Sequence, residues 1–362
     1  MKKAFIVYAS AGAGHQKAAE AIYEYLKQTR TDIDLRLIDI LDYSNSIVRL
    51  SYSKGYIFLI TKLPWAWYAI YRLSAFFSNN YFRRFLDYLA CESFVKLLKE
   101  EKPDVVVSTH FLTSSVLSVY KKKYPCHAFR LITIITDYTL HPYWIGQGVD
   151  RYIVSCEHVK DCLLTKKIEK DKIKVYGIPV KEKFYLSSDR KEAAKKLGVD
   201  PEKFTALIMT GAVGIGPIEE IVKALTSDIQ LLVICGRNQK LYNRLTKLNL
   251  MDVKIYPLID YVDELMSVSD IVLTKAGGLT ISESLAKTLS MVFFSSIPGL
   301  ETANEKVIAK LGAGIKVKSI KEIKNTLFYL KSNPAAYDDI NQKVAHLRKA
   351  AALKDLSLEI LS

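Results

Sequence analysis

The sequence predicts an α/β protein built from two doubly wound domains. Two observations predict it. A glycine-rich turn occurs twice, each time between an apolar run and a stretch of helical periodicity, and short β-branched runs alternate with helical stretches in both halves. The first turn, Ser10-Ala11-Gly12-Ala13-Gly14-His15, follows Ala4-Phe5-Ile6-Val7-Tyr8. The second, Thr210-Gly211-Ala212-Val213-Gly214-Ile215-Gly216-Pro217, follows Ala206-Leu207-Ile208-Met209. A strand, a glycine turn and a helix present free backbone N–H groups to an anion. Only the first turn carries a histidine. Reaction chemistry is therefore expected on the N-terminal side and phosphate holding on the C-terminal side, with the two domains facing each other.

In the N-terminal half the strands are expected at Phe5–Tyr8, Leu35–Ile40, Val105–Val107, Phe129–Ile135 and Tyr152–Val154, with helices at His15–Gln28 and His158–Lys167. Gly177-Ile178-Pro179-Val180 closes this domain, residues 1–180, and a polar stretch runs on to Asp200. The second domain, residues 200–362, places strands at Leu231–Cys235, Val253–Tyr256, Ile271–Thr274 and Val292–Ser295, with helices at Pro217–Leu225 and Thr280–Lys287. The last helix is a candidate to pack back on the first domain. Pro217 suits a helix start, where its missing N–H goes unneeded.

Residues 44–92 break the alternation. Tyr52, Trp65, Trp67, Tyr71, Phe76, Phe77, Tyr81 and Phe82 are interleaved with Arg49, Lys54, Lys62, Arg72, Arg83 and Arg84, and acids are scarce. Rings at headgroup depth and cations against anionic lipid are what an interfacial segment needs. Trp65, Trp67, Arg83 and Arg84 are the expected lipid contacts; a helical insertion whose rings fill a core is the plainer alternative.

The chain has 52 Lys and Arg against 38 Asp and Glu, a net charge of +14, which calls for an anionic partner. The cations are spread along the chain without a nucleic-acid motif, so nucleic acid is not expected. Five scattered cysteines, Cys91, Cys126, Cys156, Cys162 and Cys235, have neither a CxxC pair nor metal-ligand spacing, which fits a reducing compartment and no metal site. Lys2 and Lys3 before an apolar run mimic a signal peptide, but a glycine turn and amphipathic helix follow. No apolar run reaches the length of a bilayer-spanning helix.

The loops after the C-terminal strands suggest a nucleotide-sugar site. Lys275-Ala276-Gly277-Gly278-Leu279-Thr280-Ile281-Ser282-Glu283 follows a strand and opens a helix. Its glycines admit a diphosphate to backbone N–H groups, and Glu283 is placed to accept from ribose hydroxyls or, alternatively, to form a capping box with Thr280. Gly236-Arg237-Asn238 is a cationic strand-end turn, with Arg237 beside the diphosphate, and Glu301 and Asn304 follow Pro298-Gly299 as candidates for sugar hydroxyls. Gly211 (with Gly214 in the same turn), Gly236, Gly277 and Pro298 mark four loops at carboxyl ends of strands, where a doubly wound sheet binds its ligand.

Together these residues resemble the monogalactosyldiacylglycerol synthases and diacylglycerol glucosyltransferases of glycosyltransferase family 28, from the Gly12-Ala13-Gly14-His15 turn to Gly312-Ala313-Gly314. Thr136-Asp137, His141-Pro142-Tyr143-Trp144 and Gly177–Val180 share in the resemblance. It implies the GT-B fold, two Rossmann-like doubly wound domains facing across a cleft. It implies a UDP-sugar donor on the C-terminal domain, with Leu258 and Ile259 flanking the uracil and Glu283 on the ribose. It also implies diacylglycerol as acceptor on the N-terminal domain, transfer of a hexose (glucose or galactose) with inversion to a β-glycosyl lipid, and no cofactor or metal. The protein is then expected to be peripheral on the cytoplasmic face of the cell membrane. A more distant relative, which moves N-acetylglucosamine to a polyprenyl-linked muramyl peptide, shares the Gly-Gly-x-Thr-x-x-Glu loop and is the alternative function; an inactive membrane-binding relative is another. One departure is Leu300, where the family commonly has Gln.

Inversion needs a base for the acceptor hydroxyl and positive or dipolar groups for the departing UDP. His15, after the first glycine turn, is the leading base; a lipid-headgroup contact or a helix cap are its other possible roles. Asp137 is the alternative base or a partner orienting a histidine, or else a cap. Gly12, Gly14 and His141 complete the acceptor side, where His110 is a weaker candidate.

Overall fold

The computed structural model describes residues 2–76, 81–187, 189–225 and 228–361. Phe77 lies outside the described residues, as do the side chains of Phe76 and Tyr81. The chain divides into two compact units. Unit 1 comprises Met1–Glu182, Pro298–Leu300 and Ala351–Ser362; unit 2 comprises Lys183–Ile297 and Glu301–Ala350.

Unit 1 holds a six-stranded sheet of β1 (Lys2–Tyr8), β2 (Ile33–Asp39), β3 (Val105–Ser108), β4 (Arg130–Ile134), β5 (Arg151–Ile153) and β6 (Ile173–Lys174). The order is β2-β1-β3-β4-β5-β6, parallel throughout. The chain leaves β1 to one side for β2 and then crosses to β3, so the strand order reverses between β1 and β3. Register pairs Ala4 with Val105 and Ile6 with Val107. This puts Ala4, Ile6, Val105, Val107, Ile132 and Ile134 on one face against Ala19, Ile22 and Leu26 of the helix Ala13–Thr29. Because strands of a parallel sheet are covered on both faces, they read as near-continuous apolar runs. The C-terminal helix Ala352–Leu361 belongs to the same core through Leu353, Leu356 and Ile360. Glu359 fastens it, accepting from Arg151 Nε at 2.9 Å and pairing with Arg130.

Residues 44–92 form a helical insertion of Ser46–Leu50, Tyr56–Lys62, Pro64–Phe76 and Tyr81–Ala90. Its neck is tied where Asn45 N–H donates to the Ala90 carbonyl at 2.7 Å. Two of its expected lipid contacts turn inward. Arg84 is only 8% exposed and donates to the Ile145 carbonyl at 2.6 Å. Arg83 pairs with Asp87 at 2.6 Å and stacks on the Tyr143 ring, 3.9 Å from its centroid. Burial raises the Asp87 carboxyl, against the pull of Arg83 and of the Ser115 hydroxyl. These arginines hold the insertion to unit 1 and are not lipid contacts. Removing one partner of such a pair costs about 3–5 kcal/mol. Arg83→Glu is therefore expected to unfold the insertion, seen as a lowered melting temperature, and an unchanged melt would contradict the internal role.

Unit 2 repeats the architecture with β7 (Thr205–Met209), β8 (Gln230–Ile234), β9 (Val253–Tyr256), β10 (Ile271–Thr274), β11 (Ser290–Phe293) and β12 (Gly314–Lys316). The order β12-β11-β10-β7-β8-β9 reverses between β7 and β10. The polar stretch expected to link the domains contains a helix, Arg190–Leu197, capped by Asp189 and closed by Gly198 at φ 65°. No helix among the described residues is long and apolar enough to cross a membrane.

Candidate functional site

In doubly wound sheets, ligands bind outside the carboxyl ends of the strands where the order reverses. In unit 1 that point lies between β1 and β3, and the sequence places Gly12–His15 after one and Thr109-His110 after the other. Gly12 has φ 101°, a conformation L side chains rarely adopt. It caps the helix Ala13–Thr29 without a side-chain bond, so His15 is not the cap.

His15 is half-buried and locked to β3 in both directions. The Thr109 hydroxyl donates to the His15 carbonyl at 3.0 Å, and His15 Nδ1 lies 2.9 Å from the Thr109 carbonyl. A carbonyl only accepts, so Nδ1 carries the hydrogen and Nε2 keeps its lone pair. Thr136 Oγ1 lies 2.8 Å from the same Nδ1, where it acts as a second acceptor for that hydrogen. Burial pushes the imidazole down to about 4, opposed by the Thr109 carbonyl. Neutral His15 is therefore an acceptor at physiological pH. The His110 ring meets it edge-on at 4.6 Å, and Trp144 lies 6.1 Å away.

The other N-terminal candidates are more internal. His110 is 1% exposed and caps the helix Phe111–Lys123, its Nδ1 accepting from Leu112 N–H at 3.1 Å. His141 caps the short turn Pro142–Trp144 through Nδ1 and meets Ser74 Oγ with Nε2 at 3.1 Å. Both its nitrogens are engaged inside unit 1, which leaves none for an acceptor. Burial drives His141 down to about 4 and His110 well below its ordinary value. Asp137 is buried, its carbonyl accepting from Ser155 Oγ at 2.7 Å. Burial and then the Asp137 charge push the Tyr71 phenol up to about 12. Sequence reasoning missed Thr109 and Thr136 as orienting groups; the knowledge that β3 neighbours β1 would have found Thr109.

The three depressed histidines set a pH dependence. Unfolded histidine titrates near 6.5, so the unfolded chain binds more protons between about pH 6.5 and 4 than the folded one. Stability present above that window is lost as the pH falls through it. The urea midpoint should drop steadily from pH 7 to 4.5, and a midpoint that holds or rises would show these imidazoles to be solvated.

In unit 2 the two strands at the reversal, β7 and β10, carry the two glycine loops. Gly214 and Gly236 are demanded from within: a Cβ on Gly214 would meet the Cys235 carbonyl oxygen at 2.1 Å, and one on Gly236 the Ala212 oxygen at 2.6 Å. Asn238 joins the same two loops, donating to the Gly214 carbonyl at 2.9 Å and capping the helix Gln239–Lys247 through Oδ1. Its amide locks loops together, while Arg237 is exposed beside it. Gly277 differs. Its φ is −71°, and a Cβ there would meet only Glu301 Oε1, at 3.9 Å. Among the described residues nothing requires glycine at 277, and the backbone there is open to close approach.

The helix after Gly277 spans Gly278–Ala286 with Gly277 at its N-cap. Thr280 therefore stands inside the first turn, and the capping box with Glu283 does not form. Glu283 is 4% exposed in the second turn. Leu279 is buried, Thr280 half-buried, Leu258 exposed and Ile259 half-buried, the last two on the loop after β9. Glu301 accepts from Ile297 N–H at 2.8 Å and from Lys275, and Asn304, wholly buried, donates to the Ala276 carbonyl at 3.2 Å. Asn304 is a loop anchor and does not reach a ligand surface. No cluster of three or more His, Cys, Asp or Glu able to hold a metal occurs among the described residues.

Two parallel Rossmann-like sheets, each with a glycine loop at its reversal point, are the architecture of the GT-B fold. The fold is that of the crystal structure of Acinetobacter baumannii MurG, at a TM-score of 0.63 and 15% identity over 100% of this chain and 99% of that one. Residues 15–180 match the monogalactosyldiacylglycerol (MGDG) synthase family, and residues 211–354 match the glycosyltransferase family 28 C-terminal domain. A probable monogalactosyldiacylglycerol synthase 2 of Oryza sativa subsp. japonica is 30% identical, over 89% of this chain and 72% of that protein. The processive diacylglycerol beta-glucosyltransferase of Bacillus subtilis is 25% identical, over 99% and 95%. The chain belongs to the monogalactosyldiacylglycerol synthase family, within glycosyltransferase family 28.

Proposed function

We propose that this enzyme transfers a hexose, glucose or galactose, from a UDP-sugar to 1,2-diacylglycerol at a membrane surface, with inversion to a β-glycosyl lipid. The observation that carries the chemistry is the fixed tautomer of His15. In the step, the acceptor oxygen bonds to the anomeric carbon while that carbon's bond to the β-phosphate oxygen breaks. The bonding pair leaves with UDP, and the hydroxyl proton passes to His15 Nε2. Thr109 and Thr136 hold the ring for that transfer. The Gly277–Gly278 helix start, with Arg237, receives the diphosphate, Glu283 takes the ribose, and Leu258 with Ile259 flanks the base. Protein cations and dipoles supply the positive charge, without a metal or other cofactor.

The insertion supplies the membrane contact. Trp65 is 72% exposed, and Ile47, Phe58, Leu73 and Phe82 are each more than half exposed. Lys62 and Arg72 stand exposed on the same helices, and Lys54 on the turn Ser51–Gly55 between two of them. An apolar surface this extensive with cations around it suits a peripheral protein on an anionic leaflet, here assigned to the cytoplasmic face of the cell membrane. Trp65→Ala should lower co-sedimentation with anionic liposomes, and binding should weaken as salt rises. Equal binding to neutral vesicles would remove the electrostatic part.

The test of the function is product analysis. Purified protein is given diacylglycerol vesicles and radiolabelled UDP-glucose or UDP-galactose, and the lipids are separated. Label in a hexosyl diacylglycerol is expected. Label only in a polyprenyl-linked muramyl peptide supplied with UDP-N-acetylglucosamine would overturn the acceptor assignment.

A further inference from the structure

Lys275 is the residue that follows β10, one of the two strands at the reversal point of unit 2. Its side chain lies across the other strand's turn: Cε sits 3.3 Å from where a Cβ on Gly211 would stand. A residue larger than glycine at 211, where φ is 75°, would press on it. Lys275 Nζ donates to Glu301 Oε1, and Glu301 Oε2 accepts from Ile297 N–H at 2.8 Å. The carboxylate is thus positioned by its own loop as well as by the lysine. The side chains are 21% and 11% exposed, so the pair is largely shielded from screening. An ammonium has three donors, and this one shows a single partner among the described residues.

Two neighbours mark the place as ligand-facing. Gly277 is open, as described above, and its nearest group is the same Glu301 Oε1. Thr210 Oγ1, at the end of β7, is buried with no hydrogen-bond partner. A cation already held at this strand end, beside backbone with no side chain to bar approach, matches a diphosphate bound on the following helix start.

We propose, on the basis that unit 2 binds the UDP-sugar, that Lys275 is the cation that neutralises the donor's diphosphate and Glu301 is its exchangeable counter-ion. As the anomeric C–O bond breaks, negative charge grows on the β-phosphate. Lys275 then turns toward that charge and loosens its hold on Glu301. On UDP release the carboxylate recovers the ammonium, which limits product retention. Arg237, on an exposed loop, is a weaker source of charge because water screens it.

Calorimetric affinities for uridine and UDP, with kcat for the UDP-sugar, test this in Lys275→Gln, Lys275→Arg and Glu301→Gln, with a thermal melt for each. Lys275→Gln should leave uridine binding unchanged, weaken UDP at least tenfold and lower kcat. Lys275→Arg should restore most of the UDP affinity, and Glu301→Gln should tighten UDP by removing the competing carboxylate. An unchanged UDP-to-uridine affinity ratio in Lys275→Gln overturns the proposal alone. So does a Glu301→Gln variant that weakens UDP as much as Lys275→Gln, because the pair is then a structural clamp. A wild type that binds neither ligand overturns the donor assignment of unit 2 and this proposal with it.

Discussion

His15→Ala is expected to lower kcat by roughly 10²–10⁴-fold at saturating lipid, the size of a lost general base, while the KM for the UDP-sugar barely moves. The donor groups are assigned to unit 2, so His15 has no part in holding it. The pH profile should carry the same signature. Burial holds the imidazole down to about 4, so the base stays unprotonated through neutral pH and kcat/KM should be flat from about pH 6 upward. The acid limb should lie well below the usual histidine value, near pH 4–5. Thr136→Val should keep the Thr109 contact and lose part of the rate. The competing assignments separate cleanly. If His15→Ala retains near-normal kcat while Asp137→Asn is inactive, Asp137 is the base. If added anionic lipid restores His15→Ala, the histidine positions lipid.

Glu283→Ala is expected to raise the KM for the UDP-sugar by about 10- to 150-fold, the equivalent of about 1.5–3 kcal/mol for hydrogen bonds to a charged group. Glu283 is buried in the second turn of the helix Gly278–Ala286. A melting curve must therefore accompany the kinetics, and Glu283→Gln, which keeps the shape and loses the charge, should fall between wild type and alanine. A folded Glu283→Ala protein with unchanged donor KM would remove Glu283 from the ribose.

The strands that position both sites were legible because buried parallel strands are written as short apolar runs, and Gly12 and Gly211 mark where two of them turn. β6 and β12 were not. At Ile173–Lys174 and Gly314–Lys316 they are too short to show any period. Arg83 and Arg84 were misread for a physical reason. A cation among aromatics looks the same in sequence whether it faces a headgroup or stacks on Tyr143, and only the path of the chain decides. Thr280-x-x-Glu283 carries a capping signature, but the two preceding glycines let the cap fall three residues earlier, at Gly277, which moves Thr280 off the cap. The partners of His15 come from 94 and 121 residues away, and no local pattern announces them. The chemistry-bearing residue types were thus readable, while the groups that aim them depended on strand order.

The most direct test of the account is the anomeric configuration of the lipid product. Proton NMR of the glycolipid made from an α-linked UDP-hexose should show a β-linked sugar, as a single displacement assisted by the His15 base requires. An α-linked product would contradict the account, because retention needs a second nucleophilic or front-face step for which it assigns no residue.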